Sequence, residues 1–79
     1  MQLTRGNYVR VRLLGDTEWC PAWVALAHGT SVMLLLGEGA VRTSNRGLII
    51  SALPLTIDYE AERVTSLLGD EYEIEVREP

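Results

Sequence analysis

Hydrophobic and polar residues alternate over two segments at opposite ends of the chain, residues 8–13 and 71–77. This period of two is typical of a half-buried β-strand, whose side chains point alternately to the two faces of a sheet. The apolar positions are Val9, Val11 and Leu13 in the first segment, and Tyr72, Ile74 and Val76 in the second. Both segments are therefore predicted to be strands that bury these residues.

The middle of the chain predicts further short strands separated by turns. The longest would run from Trp19 to Ala27, with Cys20, Ala22, Val24 and Leu26 on one face and Trp19, Pro21 and Trp23 on the other. Because Pro21 has no amide hydrogen, it is expected at the start of this strand, on an edge or at a bulge. Short runs predict strands over 32–36, 40–43 and 48–50, followed by a tight turn or a single 3₁₀ turn over 51–54.

Residues 59–68 are open to two interpretations. The apolar residues that recur here at helical spacing are Ile57, Ala61, Val64 and Leu68. Asp58 is placed to cap the start of a helix and Gly69 to cap its end, so the pattern predicts a helix over 59–68. The alternative is a hairpin in which residues 63–68 form a strand that turns at Gly69-Asp70.

The exposed faces of the first and last predicted strands carry opposite charges. Arg10 and Arg12 lie on the first, and Glu73 and Glu75 lie on the last. If the two strands are neighbours, each Arg–Glu pair contributes about 0.2–1 kcal/mol. The charge pattern therefore leads to the hypothesis that the strands pair, and two separately solvated faces are the equal alternative.

The order of these signals resembles that of SH3-like and Tudor-like small barrels. The resemblance covers about residues 6–57, and its pieces are a Gly-x-x-Val-x-Val strand at 6–12, a tryptophan-containing strand at 18–24, and apolar segments at 32–36, 40–43 and 47–55. It implies a mainly β fold, a small SH3-like barrel of about five strands. A short C-terminal helix and a closing strand would extend it over residues 58–79. In that family an aromatic cluster near the second strand often forms a ligand cage or groove, which implies a binding role for Tyr8, Trp19 and Trp23.

Composition narrows the class of protein. With 79 residues, of which 47% are hydrophobic, residues 1–79 are predicted to form one small domain. The longest apolar run, residues 32–36, is far shorter than the roughly 20 residues that cross a bilayer, and no signal-peptide pattern opens the chain. The single cysteine, Cys20, excludes an internal disulfide and a Cys-rich zinc site. A cytoplasmic protein without a cofactor and without a membrane partner is therefore expected.

Charge is unevenly distributed along the chain, whose net charge is −4. Residues 1–46 carry +2 and residues 47–79 carry −6, and every cationic side chain is an arginine. Nucleic acid would be repelled by the second half, which disfavours it as a partner. A chain of this size builds only a small core, so self-association is expected to supplement its stability.

No short motif in the chain encodes a reaction. Cys20 and His28 invite a thiol–imidazole interpretation, but no third residue is placed to orient them, and cysteine is more often a small buried hydrophobe. Glu71, Glu73 and Glu75 line one strand face and do not converge on a cation as the ligands of a looped site do. Neither a catalytic residue nor a metal ligand is predicted.

The expected function is a non-catalytic binding and assembly module that acts through protein–protein contacts, with itself or another protein as partner. The predicted apolar anchors are Tyr8, Trp19 and Trp23, and the predicted polar rim is Arg10, Arg12, Arg42 and Arg46. For the tryptophans the alternative is a role in the core. Two other functions stay open: a small-molecule site, binding or enzymatic, at an oligomer interface, and nucleic-acid binding through the arginine-bearing face.

Overall fold

The computed structural model describes residues 2–36, 41–42 and 49–77, with backbone only for 41–42 and 49–50. Within those residues the strands are β1 (Tyr8–Leu13), β2 (Cys20–His28), β3 (Ser31–Leu36), β4 (Val41–Arg42), β5 (Ile49–Ile50), β6 (Ala52–Asp58), β7 (Arg63–Ser66) and β8 (Glu71–Arg77). No segment of the described chain forms a helix that is long and apolar enough to cross a membrane.

Six antiparallel strands close into a barrel in the order β1-β2-β3-β6-β7-β8, and β8 returns to pair with β1. The short strands β4 and β5 pair with each other in a separate sheet. The predicted mainly β class and the closing C-terminal strand are confirmed. The barrel has six strands rather than about five, because the segment before β8 contributes a strand of its own.

The barrel interior is filled by aliphatic side chains from alternate positions of the strands, together with Tyr72. The buried hydrophobic residues are Leu3, Val9, Val11, Ala22, Val24, Val32, Leu34, Leu36, Leu53, Leu55, Ile57, Val64 and Tyr72. Both tryptophans lie outside this set, so the core alternative for them is not what the structure shows. The alternation predicted for β1 is confirmed at Val9 and Val11, neither of which has measurable exposure.

A β-bulge at Ala25 changes the face to which β2 presents its side chains. Val24 pairs with Leu34 inside the barrel, but the next paired residue is Leu26, opposite Met33. The extra residue shifts the alternation by one position. Leu26 is therefore exposed, although the alternation placed it on the same face as Ala22 and Val24, which are buried, and Ala27 packs against the core instead. Pro21 lies near the start of β2, as predicted.

The turn predicted over residues 51–54 is wrong, because β6 begins at Ala52. Leu53, Leu55 and Ile57 alternate into the core, and burying them outweighs the turn tendency of Pro54. β7 pairs with β6 only from Leu55 onward. Among the described strands Pro54 thus has β3 alone beside it, where a missing amide hydrogen is tolerated.

The helix predicted over 59–68 is also wrong, and the alternative hairpin of β7 and β8 is observed. Asp58 caps a turn rather than a helix: its Oδ1 accepts hydrogen bonds from the backbone amides of Glu60 and Ala61, both at 3.1 Å. Glu62 then adopts a left-handed φ of 54°, which ends the turn. Strand pairing prevails because it closes the barrel and buries Val64.

The last strand loses its inward face toward its end. Tyr72 is buried and Ile74 packs against the core, but Val76, predicted to face inward, is 48% exposed. β7 pairs with β8 only at residues 71 and 72. Past Glu73, β8 therefore has only β1 as a paired neighbour, and no other described strand covers Val76.

Candidate interaction surface

Opposite charges meet across the line where the barrel closes, as the charge pattern predicted. Arg10 pairs with Glu75 and Arg12 with Glu73 in the β1–β8 register. Arg10 Nη2 lies 2.5 Å from Glu75 Oε2, and Arg12 Nη2 lies 3.0 Å from Glu73 Oε2. These four residues are called the charged seam. They join strands that lie at opposite ends of the sequence.

Trp19 belongs to the charged seam rather than to an open platform. The guanidinium carbon of Arg10 lies 4.2 Å from the centroid of the Trp19 ring, and that of Arg12 lies 4.4 Å away. A guanidinium at this distance is attracted by the π-electrons of the indole. Arg12 Nε is buried without a hydrogen-bond partner, and this stacking offsets part of the cost of its lost hydration.

We expect the two charges of the Arg12–Glu73 pair to be energetically coupled. Replacing Arg12→Glu sets two carboxylates side by side and removes a cation from Trp19, so it should lower the free energy of unfolding by about 1–2 kcal/mol. Glu73→Arg should cost about 1 kcal/mol. The double reversal should recover most of the loss, with a coupling energy of about 1 kcal/mol in a double-mutant cycle of urea denaturation.

The second arginine pair provides the control for that cycle. Arg12→Glu combined with Glu75→Arg should show a smaller coupling, because Arg12 lies opposite Glu73 and not opposite Glu75. The measured coupling should also decrease in high salt, since both members of the pair are partly exposed. Additive losses in the Arg12–Glu73 cycle would contradict the role assigned to the pair.

Trp23 and Tyr8 form a second, separate aromatic contact. Their ring centroids lie 4.5 Å apart with the ring planes tilted by 48°. The two residues are cross-strand partners on the outer face of β1 and β2. Trp23 is 47% exposed despite this contact. Trp19 thus stacks on the arginines and Trp23 borders an apolar surface. Tyr8 lies between them, because it contacts Trp23 and also lines a cleft of about 200 Å³ with Trp19 and Arg10.

That surface covers the outer side of β2, β3 and β6. The strand registers arrange it in two rows of three residues, Trp23–Leu35–Ala52 and Leu26–Met33–Pro54. These six residues are called the apolar face. Isolated exposed hydrophobic residues are ordinary on a protein surface, but a contiguous group is typical of an interaction site.

The centre of the apolar face lies on the side of the barrel opposite the charged seam, while its β2 edge adjoins β1. In the strand order β1-β2-β3-β6-β7-β8, the central strand of the apolar face, β3, is three places from β8 in either direction. Residues 20–36 and 49–57 contain no Asp, Glu, Lys or Arg. Among the Asp, Glu, Lys and Arg residues of the chain, the three strands of the apolar face thus contain only Asp58, at the end of β6.

A shallow cleft of about 170 Å³ adjoins the lower row of the apolar face. Leu26, Met33 and Pro54 line it, together with Leu67 from the turn between β7 and β8. Leu67 is 83% exposed. The lining is mainly apolar, so the cleft suits an aliphatic side chain rather than a polar ligand.

Most of the apolar face was missed by the sequence interpretation, which singled out aromatic and arginine residues. Met33 and Leu35 belonged there to a short apolar run, Leu26 shared one strand face with Cys20, Ala22 and Val24, and Pro54 lay in a predicted turn. A usable signal is present, because charge is absent from 20–36 and 49–57. A half-buried strand normally carries charged residues on its outer side, so their absence predicts that the outer side is apolar.

Of the four predicted rim residues, the two whose side chains the structure describes give no free cationic surface. Arg10 and Arg12 are already paired with carboxylates. The side chain of Arg42 and the whole of Arg46 lie outside the described residues. A phosphate backbone would have to compete with Glu73 and Glu75 for the two arginines that the structure places.

Cys20 and His28 are held apart at the two ends of β2. Eight residues of extended strand separate them by roughly 26 Å, so no thiol–imidazole pair forms. Burial and the carboxylates of Glu18 and Asp16 raise the pKa of the Cys20 thiol, which disfavours the nucleophilic thiolate. In the described part of the chain, no group of three or more His, Cys, Asp and Glu side chains is arranged to hold a metal ion.

No family model, curated protein or solved structure matches this chain.

Proposed function

We propose that this chain is an SH3-like small barrel that serves as a non-catalytic assembly module, binding through protein–protein contacts and associating with itself. The apolar face is the observation that carries the proposal. Three of its side chains, Trp23, Leu26 and Leu35, are each about half exposed although they are large and hydrophobic. Covering them with another protein surface removes apolar area from water at about 25 cal/mol per Å².

The kinds of residue on and around this face support a protein partner. Tryptophan and tyrosine are frequent among the residues that dominate binding energy at protein interfaces, and Trp23 and Tyr8 supply one of each. Arg10 and Arg12 lie on the strand beside Trp23, where they serve as a polar rim. Because carboxylates already neutralise them, they add little repulsion when a second surface approaches.

Self-association also compensates for a small core. A chain of this size buries roughly 60% of the surface of its unfolded form, which leaves a thin margin of stability. Small domains commonly add to that margin with disulfides, metals or oligomerisation. The chain has one cysteine and so no internal disulfide. An interface formed by the apolar face supplies the missing burial.

Light scattering coupled to size-exclusion chromatography tests the proposal. The wild-type chain is expected to be a dimer or small oligomer whose mass falls on dilution. The oligomer should persist to about 1 M salt, where electrostatic screening acts within about 3 Å, because its contacts are apolar. Leu35→Asp should weaken association at least tenfold, since it places a charge in the interface.

Leu14→Asp is the matched control, because Leu14 is 53% exposed and Leu35 is 49% exposed, yet Leu14 lies next to the charged seam. It should leave the oligomer intact. A monomer at every concentration would contradict the proposal. Dissociation of the wild type in high salt, or equal effects of the two variants, would exclude the apolar face as the contact.

A further inference from the structure

The apolar face is uneven, and its unevenness follows the strand register. On the β2 side stand the large, protruding residues Trp23 and Leu26. On the β6 side, at the same levels, stand Ala52 and Pro54. The residues between them, Leu35 and Met33, lie on β3 and form the midline. At these two levels the β2 edge therefore carries larger side chains than the β6 edge, beyond which Leu67 borders the cleft.

This profile is complementary to itself under one particular rotation. When a second copy faces the first about a two-fold axis parallel to β3, the β2 side of each copy meets the β6 side of the other. Trp23 then covers Ala52 of the second copy, and Leu26 meets Pro54 and the adjoining 170 Å³ cleft. An axis perpendicular to β3 would instead set Trp23 against Leu26 and leave Ala52 facing Pro54 across a gap.

The charge distribution also suits a second copy. Each chain carries a net charge of −4, so two copies repel one another at long range. Contact through β3 puts the two β8 strands, with their glutamates, at the far ends of the pair. A Debye length is about 8 Å at physiological ionic strength, and the barrel itself is 18 Å across in its shortest dimension. The repulsion is therefore screened in this arrangement.

A two-fold pair must also bury enough area. A stable protein pair buries about 800 Å² on each partner, which is about 15% of the 5186 Å² that this chain exposes. Three of the six barrel strands contribute to the apolar face, and Tyr8 and Leu67 extend it at two borders. Because the contact is the same patch on both copies, the assembly closes at two chains and does not propagate.

We infer that the occupant of the apolar face is a second copy of this chain, related by a two-fold axis parallel to β3, with Trp23 of each copy seated over Ala52 of the other. This inference rests on the proposed function and adds the partner's orientation to it. Leu35 and Met33 contact their own counterparts along the axis. Trp23 contributes to both the Tyr8 contact and the interface.

A swap of the large and small residues tests the arrangement. Ala52→Trp places a large side chain on the β6 edge and should weaken dimerisation at least tenfold, measured by sedimentation equilibrium. Trp23→Ala should also weaken it. The double variant Trp23→Ala with Ala52→Trp exchanges the large and small residues of the two edges, and it should return the dissociation constant to within about fivefold of the wild type. Thermal melting of each variant checks that the barrel is folded.

Cross-linking gives a second readout that does not depend on bulky substitutions. In a Cys20→Ser background, Leu35→Cys lies on the axis and should form a disulfide with its counterpart under mild oxidation, because the two Cβ atoms can reach the roughly 4 Å that a disulfide needs. Leu14→Cys, in the same background, should stay monomeric after denaturation. Together these two variants distinguish a defined contact from random collision.

The outcomes separate this inference from the proposed function. Rescue by the double variant and a cross-link at residue 35 support the two-fold pair. An oligomer that Leu35→Asp disrupts, but that shows neither rescue nor cross-link, keeps the assembly module and overturns the arrangement. A chain that is monomeric throughout overturns both.

Discussion

Replacing Leu34 with alanine is expected to lower the free energy of unfolding by about 3–4 kcal/mol, the largest effect of any single truncation on the strands of the apolar face. Leu34 has no exposed surface, and in the register of the barrel it lies between Val24 and Leu53. Removing its side chain loses transfer energy and leaves a cavity that neighbouring strands cannot fill. The total free energy of unfolding of a 79-residue chain is roughly 4–12 kcal/mol, so the variant would lose much of its stability.

Urea denaturation followed by circular dichroism measures this loss. Leu14→Ala removes the same atoms from an exposed leucine and should cost less than about 1 kcal/mol. The comparison should be made at a protein concentration low enough for the chain to be monomeric, so that assembly does not add to the measured stability. Equal losses in the two variants would show that the interior assigned to β3 is wrong.

The second large effect is a loss of stability in alkali that depends on one residue. Burial, aided by the negative charge of Asp70, raises the pKa of Tyr72 to about 12 from its ordinary value of about 10. The folded chain therefore holds the phenolic proton more tightly than the unfolded chain does. The contribution of Tyr72 to the free energy of unfolding is therefore fully present below pH 10 and is lost as the pH rises toward 12. The loss amounts to about 2–3 kcal/mol.

The composition of the chain makes the dependence of stability on pH easy to interpret above pH 9. The chain has no lysine, and arginine stays protonated, so besides Tyr72 only the one cysteine and the other two tyrosines belong to residue types whose ordinary pKa lies near this range. Cys20 is one of them, and its raised pKa acts in the same direction. The experiment therefore uses a Cys20→Ala background and compares unfolding free energies from pH 8 to 12 with and without Tyr72→Phe. The decline above pH 10 should be smaller by about 2 kcal/mol in the phenylalanine variant, and identical declines would refute the assignment.

Strand identity and one strand pairing could be predicted from the sequence because both depend on local pattern. The alternation at Val9 and Val11 arises because one face of a half-buried strand lies against the core and the other face lies in water. The opposite charges of Arg12 and Glu73 could be matched across the chain for a related reason. Cross-strand partners are direct neighbours, so their chemistry reveals the pairing even when 61 positions separate them.

The errors arise where tertiary structure decides between locally equivalent options. Asp58 begins turns and helices by the same side-chain-to-backbone hydrogen bonds, so its presence could not distinguish them. The bulge at Ala25 leaves no mark in the hydrophobic pattern, because alanine fits either face. The pattern consequently placed Leu26 on the same face as Ala22 and Val24. The apolar face could not be predicted for the same reasons. Its residues come together through the register of three strands, which their neighbours in the sequence do not reveal.

The pairing of β1 with β8 brings the two ends of the barrel close together in space. Tyr8, the first residue of the barrel, lies directly opposite Arg77, the last. Paired positions of antiparallel strands have their Cα atoms only about 4.5–5.5 Å apart. The start of the first strand and the end of the last strand therefore lie side by side, so the path of the chain through the barrel is almost a closed ring. A connector of a few residues suffices to close that ring, which makes the fold suited to circular permutation and to insertion as a unit within a loop of a host protein.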